Sequence, residues 1–185
     1  MKIAYVLFKG LTWLDFVGFY DPITRLKSLG YRADLSWDIL SFFNEASDSF
    51  GLNMKIDSSK GSLNNYDVVF IPGGLGTRKL IKNKEFINWI KTINDNALKI
   101  SVCTGSLILG AAGFLKDKKA TTHFNEYDLL KEFCGEVVKD RIVEDDNVIT
   151  AGAVSSSIDL GLYICRKWAG ENAAEEIRKR MNYDK

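Results

Sequence analysis

The chain predicts an open α/β sandwich with a mostly parallel central sheet, and three observations carry that prediction. Near-continuous apolar runs at residues 3–8, 66–71 and 100–102 lack the polar alternation of a one-sided sheet, as expected of strands covered on both faces. Helical apolar spacing fills the segments between such runs, so strand and helix alternate along the whole length. Two of the runs open directly onto small residues, Pro72-Gly73-Gly74 and Cys103-Thr104-Gly105, as sharp turns at the carboxyl edge of a sheet require.

In chain order, residues 3–8 (Ile-Ala-Tyr-Val-Leu-Phe) predict a central first strand. Residues 11–16 then read as a connection with one acid, Asp15, enclosed by Trp13, Leu14 and Phe16. Asp21-Pro22 looks like a helix N-cap with proline at the first helical position, and Ile23, Leu26 and Leu29 form that helix's apolar stripe up to Gly30. Residues 31–37 alternate and predict a second, less covered strand. Residues 38–65, broken by Ser, Asn, Asp and Gly, predict a hairpin or short strands with loops.

Residues 66–71 return to the sheet and lead into Gly73-Gly74. Phe86, Ile87, Trp89, Ile90 and Ile93 mark a covering helix, and residues 100–102 lead to Cys103, followed by a Gly- and Ala-rich helix ended by Gly113. Residues 120–124 predict a short strand ending in His123, and Asn125 the N-cap of a helix reaching Phe133. Short β-branched strands at 137–138, 142–143 and 148–151 come next, then a second small-residue junction at 152–157 and closing helices over 158–168 and 173–181.

At 185 residues the chain predicts one domain, 1–185, with a sizeable core. Hydrophobic residues make up 46% and charged residues 26%, and 25 Lys and Arg stand against 24 Asp and Glu. That balance argues against a nucleic acid or an anionic membrane as partner and leaves a small molecule. The first apolar run is too short for a signal peptide core or a membrane span, so a cytoplasmic location is expected. Three unpaired cysteines, Cys103, Cys134 and Cys165, suggest neither a disulfide framework nor a zinc knuckle. With one histidine, His123, a metal site is not expected, and His123 itself reads as a hydrogen-bonded rim residue rather than a catalyst. No G-x-G-x-x-G or phosphate-loop lysine points to a nucleotide cofactor.

Cys103 is the chemical focus. A thiol at a strand-to-helix bend is held at the sheet edge, and a helix N-terminus is expected to lower its pKa by stabilising the thiolate. The competing reading is a buried structural cysteine. Gly73 and Gly74 form a second backbone N–H loop. Asp15, if buried among its apolar neighbours, should have a raised pKa.

The chain resembles the DJ-1/PfpI superfamily, and within it the isonitrile hydratase-like branch. The resemblance rests on Ile71-Pro72-Gly73-Gly74-Leu75-Gly76-Thr77-Arg78, Val102-Cys103-Thr104-Gly105 with Leu109-Gly110-Ala111-Ala112-Gly113, Ala120-Thr121-Thr122-His123-Phe124, and residues 151–159. It implies a flavodoxin-like, class I glutamine amidotransferase-like three-layer sandwich, usually a homodimer. It also implies Cys103 as nucleophile and Asp15 as its acidic partner. Backbone N–H groups of Gly73, Gly74 and Thr104 are expected as donors, the Thr104 hydroxyl is counted with the catalytic groups as orienting Asp15 or water, and no cofactor or metal is expected. Asp15 stands where many superfamily members carry Glu, a mark of the hydratase branch. Protease-like members carry His after the cysteine; here Thr104 fills that place. The expected activity is hydration of an isonitrile to an N-substituted formamide through a thioimidate on Cys103. Glyoxalase-like chemistry on the same thiol and cysteine-based redox sensing are the alternatives. AraC-type regulators share the Gly74-Leu75-Gly76-Thr77-Arg78 pattern, but their helix-turn-helix region does not follow here.

Overall fold

The computed structural model describes residues 1–56 and 61–183. In order, its elements are β1 (Lys2–Val6), α1 (Trp13–Ser28), β2 (Ser36–Leu40), β3 (Glu45–Ser47), β4 (Asn53–Lys55), β5 (Val68–Ile71), α2 (Thr77–Leu80), α3 (Lys84–Ile90), β6 (Leu98–Val102) and α4 (Gly105–Ala111). The chain continues with β7 (Lys119–Ala120), α5 (Tyr127–Leu130), β8 (Glu136–Val137), β9 (Ile142–Asp145), β10 (Val148–Ala151), α6 (Ser156–Ala169) and α7 (Glu171–Arg180).

The main sheet runs β2-β1-β5-β6-β10-β9. Its first five strands are parallel, and β9 closes the edge antiparallel to β10. Residues 3–8 are fully buried, as are residues 69–71, so the unalternating runs do sit between two helical layers. On one face α1 packs against α6 and α7; α4 packs against α2, α3 and α5. The chain leaves β1 toward β2 on one side and later returns to β5 on the other. The crevice at the carboxyl ends of β1 and β5 is therefore a topological switch point, the place where open α/β sheets bind ligands.

Several boundaries differ from the sequence reading. Helix α1 begins at Trp13, not at Pro22 after an Asp21 cap, and Pro22 lies inside it. The buried face of Phe16, Phe19, Ile23 and Leu26 continues through the proline, and packing of that face outweighs one missing backbone donor. The second strand is shifted to Ser36–Leu40, because the Arg32–Asp34 ion pair and the Arg32 N–H bond to the Leu26 carbonyl hold residues 31–35 as a turn. Within 38–65, β3 and β4 pair as an antiparallel hairpin, and residues 57–60 lie outside the described residues. The strand expected at 120–124 shrinks to β7. His123, not Asn125, is the cap beyond it: its Nδ1 accepts the Asn125 N–H at 3.2 Å, starting a 3-10 turn over Phe124–Glu126.

Candidate active site

Four loops meet at the carboxyl edge of the sheet, those leaving β1, β5, β6 and β10. The first two are stitched together: Thr12 N–H donates to the Gly73 carbonyl at 2.9 Å, and Gly76 N–H to the Gly10 carbonyl at 2.9 Å. The close approach requires glycine. A Cβ on Gly74, whose φ is +137°, would lie 2.3 Å from the Gly10 carbonyl oxygen.

Cys103 occupies the bend between β6 and α4 with φ 55°, a left-handed conformation that a non-glycine residue adopts only when its surroundings impose it. Both of its backbone groups are held. Its N–H donates to the carbonyls of Ala151 and Gly152 at 2.9 and 2.8 Å, and its carbonyl accepts from the hydroxyls of Ser106 and Thr122 at 3.1 and 3.0 Å. The side chain is 5% exposed.

Asp15 reaches the same place from the first turn of α1 and is fully buried (0% exposed). Its Oδ2 accepts the Gly73 N–H at 2.8 Å, while Oδ1 has no hydrogen-bond partner of good geometry among the described residues. Burial pushes the Asp15 carboxyl up to about 7, against the opposing pull of the Gly73 N–H and, more weakly, of the Cys103 thiol. Gly73 is the hinge of this contact: a Cβ there would lie 2.6 Å from Thr104 N and 2.8 Å from both Asp15 Oδ2 and Cys103 Cβ. Asp15, Gly73 and Cys103 are thus in mutual contact, as the strand ends predicted.

The thiol does not behave as the helix N-terminus argument expects. Burial first, and then the neighbouring Asp15 charge, push Cys103 up to about 12. The backbone N–H and hydroxyl of Thr104 and the Val154 N–H pull the other way and are outweighed, since α4 is a seven-residue helix and the sulfur is almost out of solvent. Asp15 and Cys103 are coupled: both are raised by burial, and the Asp15 charge raises the thiol further, so the carboxyl ionises before the thiol and the remaining proton stays on sulfur.

The Gly73 and Gly74 N–H groups have protein partners, Asp15 for the first and Thr104 Oγ1, at 3.0 Å, for the second. The Thr104 hydroxyl in turn donates to the Gly74 carbonyl at 3.1 Å. The donors near sulfur are instead the N–H groups of Thr104 and Val154. Sequence reasoning left out Val154 and Thr122. The signal for Val154 was the small-residue junction at 152–157, just beyond β10, the strand beside β6. His123 caps its turn and stacks on Phe124 at 4.3 Å.

A three-layer flavodoxin-like sandwich with a strained cysteine and a buried carboxyl at its switch point defines the class. The DJ-1/PfpI family matches residues 1–167. The chain belongs to that family. It is 33% identical over 184 residues to the isonitrile hydratase of Pseudomonas putida, covering 99% of this chain and 78% of that one. It is 26% identical over 115 residues to the glutathione-independent glyoxalase DJR-1.2 of Caenorhabditis elegans, 62% of this chain and 61% of that one. The crystal structure of a ThiJ/PfpI family protein from Pseudomonas syringae superposes with a TM-score of 0.86 at 30% identity, over 100% of this chain and 75% of that one.

Proposed function

We propose that the protein, as one 1–185 domain, is a cysteine-dependent hydratase that converts an isonitrile to an N-substituted formamide. The observation that carries this reading is the nearly buried Cys103 thiol held against the buried Asp15 carboxyl, both with raised pKa values. A terminal isonitrile carbon bears no substituent, so it can reach the sulfur of a residue that is only 5% exposed, and its hydration needs the paired proton transfers that such a couple supplies.

Asp15 takes the thiol proton, and the Cys103 sulfur forms a bond to the isonitrile carbon. Asp15 then returns the proton to that carbon, giving a neutral thioimidate, R–N=CH–S–Cys103. The carboxylate next removes a proton from water as its oxygen adds to the same carbon, and passes that proton to the nitrogen. Collapse of the adduct breaks the C–S bond, forms the formamide carbonyl and leaves the pair with one proton again. The N–H groups of Thr104 and Val154 support negative charge on sulfur as it forms and leaves. Gly73 and Gly74 act by orienting Asp15 and Thr104. The covalent bond and both proton transfers are carried by Cys103, Asp15 and water, so the scheme calls for no cofactor or metal.

The similarity to a named glyoxalase favours a second reading, conversion of an α-oxoaldehyde such as methylglyoxal to a 2-hydroxy acid on the same thiol. The raised thiol pKa weakens the redox-sensor reading, since oxidation follows thiolate character. A cytoplasmic homodimer goes with the hydratase reading. The exposed apolar residues Leu14 and Val17 on α1 would meet a second copy, which sedimentation of the purified chain tests directly.

Incubation with a panel of isonitriles and α-oxoaldehydes, with product analysis and intact-protein mass, tests the assignment. The expected result is formamide from at least one isonitrile, absent with Cys103→Ala and Cys103→Ser. Lactate from methylglyoxal without formamide, or full turnover by Cys103→Ala, would overturn it.

A further inference from the structure

On its outer side the Gly73-Gly74 loop is met by Arg78, a residue with no part in the hydration scheme. The guanidinium of Arg78 in α2 pairs with the Glu126 carboxylate. Its Nη1 also lies 3.5 Å from the Gly74 carbonyl, the limit of a hydrogen bond. That carbonyl is a junction: it also accepts from the hydroxyls of Thr77, at 2.8 Å, and Thr104. Glu126 ends the 3-10 turn next to Thr121-Thr122-His123, and in that segment Thr122 donates to the Cys103 carbonyl. The ion pair therefore joins the loop that holds Asp15 to the segment that holds Cys103. Glu126 is the less solvated partner, 16% exposed against 41% for Arg78.

We infer that the Arg78–Glu126 pair is a positioning clamp, holding the Gly73-Gly74 loop at the height over Cys103 that keeps the Gly73 N–H on Asp15. Without it, no ion pair among the described residues joins the β5 loop to the β7–α5 segment, and the loop lifts at its outer edge. The Gly73 N–H, which stabilises the ionised carboxyl, then moves away from Oδ2. Cys103 is the titratable group facing Asp15, so a change at Gly73 is read in the ionisation of that pair. The chemistry of the site gives the clamp a functional consequence, and in this respect the inference rests on the hydratase reading.

The test does not depend on that reading. Arg78→Gln, Glu126→Gln, the conservative Arg78→Lys and the charge-swapped Arg78→Glu/Glu126→Arg double variant are compared with the wild-type chain. Alkylation of Cys103 by iodoacetamide is followed against pH by peptide mass spectrometry, and amide exchange is followed in peptides spanning residues 71–80. In the two neutral single variants the midpoint of the inflection that Asp15 ionisation imposes on the alkylation profile should rise by about 0.5 pH unit or more, as loss of a donor to the carboxylate requires. Exchange at residues 73–76 should quicken while β5 stays protected. Arg78→Lys should fall between the singles and wild type, and the swapped pair should recover most of the midpoint.

With benzyl isonitrile as substrate, kcat should drop roughly tenfold or more in the singles with little change in KM, as expected when catalytic groups lose alignment. Superimposable alkylation profiles in the wild-type and Gln variants overturn the clamp. So does a profile that moves equally in the singles and in the swapped pair. Absence of isonitrile turnover in the wild type would instead remove the hydratase assignment and leave the alkylation result to decide the clamp.

Discussion

At the scale of single residues the site is built against stability. A carboxyl held at about 7 instead of its ordinary 3.8 destabilises the folded chain at neutral pH by ~4 kcal/mol. The sign comes from linkage: the folded state retains a proton that the unfolded chain has released, so the penalty begins near 3.8, grows as pH rises and levels off above about 7. Asp15→Asn keeps an oxygen for the Gly73 N–H but cannot ionise. It should abolish turnover and raise stability by a few kcal/mol at pH 8, and the gain over wild type should vanish below pH 4. Urea unfolding at both pH values checks this, and a pH-independent difference would show that Asp15 is not held protonated by the fold. At this scale the sequence was informative about identity and less so about electrostatics. Asp15, Gly73 and Cys103 were readable because each lies just beyond an apolar strand, and Asp15's apolar neighbours announced its raised pKa. The thiol was misjudged because helix-terminus stabilisation was weighed without the burial and the acidic neighbour that oppose it.

At the scale of elements, the packing of α1 on α6 aims Asp15. Gly18 is the crossing point: a Cβ there would lie 2.2 Å from Ser157 Oγ and 3.0 Å from Ser157 Cβ. Ser157 also donates to the Leu14 carbonyl at 3.0 Å, one residue before Asp15. In Gly18→Ala the serine hydroxyl has to rotate out of that bond, and the Cβ contact remains. Overpacking of this kind costs about 1–3 kcal/mol, partly offset by the better helix propensity of alanine. Ser157→Gly opens the space, so the Gly18→Ala/Ser157→Gly double variant should be more stable than the two single losses add up to. Additive losses in chemical denaturation would place the constraint elsewhere than at this contact. The role of Gly18 was hidden in the sequence for the same reason that α1 was begun nine residues late. Asp21-Pro22 is a strong local start signal, and it obscured the stripe formed by Phe16 and Phe19 one turn earlier. Local chemistry also misplaced β2, where the alternation over 31–37 competes with the Arg32–Asp34 turn.

At the scale of the whole molecule the prediction of a parallel sheet held because it rested on several strands at once. What could not be read was strand order, since the lateral arrangement of strands leaves no mark on their own sequences. The order puts Tyr5 at the centre of the fold, in β1 beside β5, with its ring in edge contact with Phe16, Tyr20 and Phe70 at 5.5, 5.3 and 5.9 Å. Its hydroxyl is buried and has no hydrogen-bond partner among the described residues. A polar group in that state costs ~1–3 kcal/mol, and removing it leaves a packed aromatic cluster behind. Tyr5→Phe should therefore be as stable as wild type at pH 7, or more stable by about 1 kcal/mol. The pH dependence gives a second check. Burial, then the neighbouring Tyr20 and Cys165, raise the Tyr5 pKa far above the ordinary 10. The folded state keeps the phenol protonated, so its contribution is fully present below pH 10 and is lost as pH rises further, when the unfolded chain ionises. Phenylalanine has no such loss, and the advantage of Tyr5→Phe should widen between pH 10 and 11. Denaturation midpoints across that range decide the matter: a Phe variant weaker than wild type by more than about 1 kcal/mol at pH 7 would mean that the phenol oxygen is satisfied, not stranded.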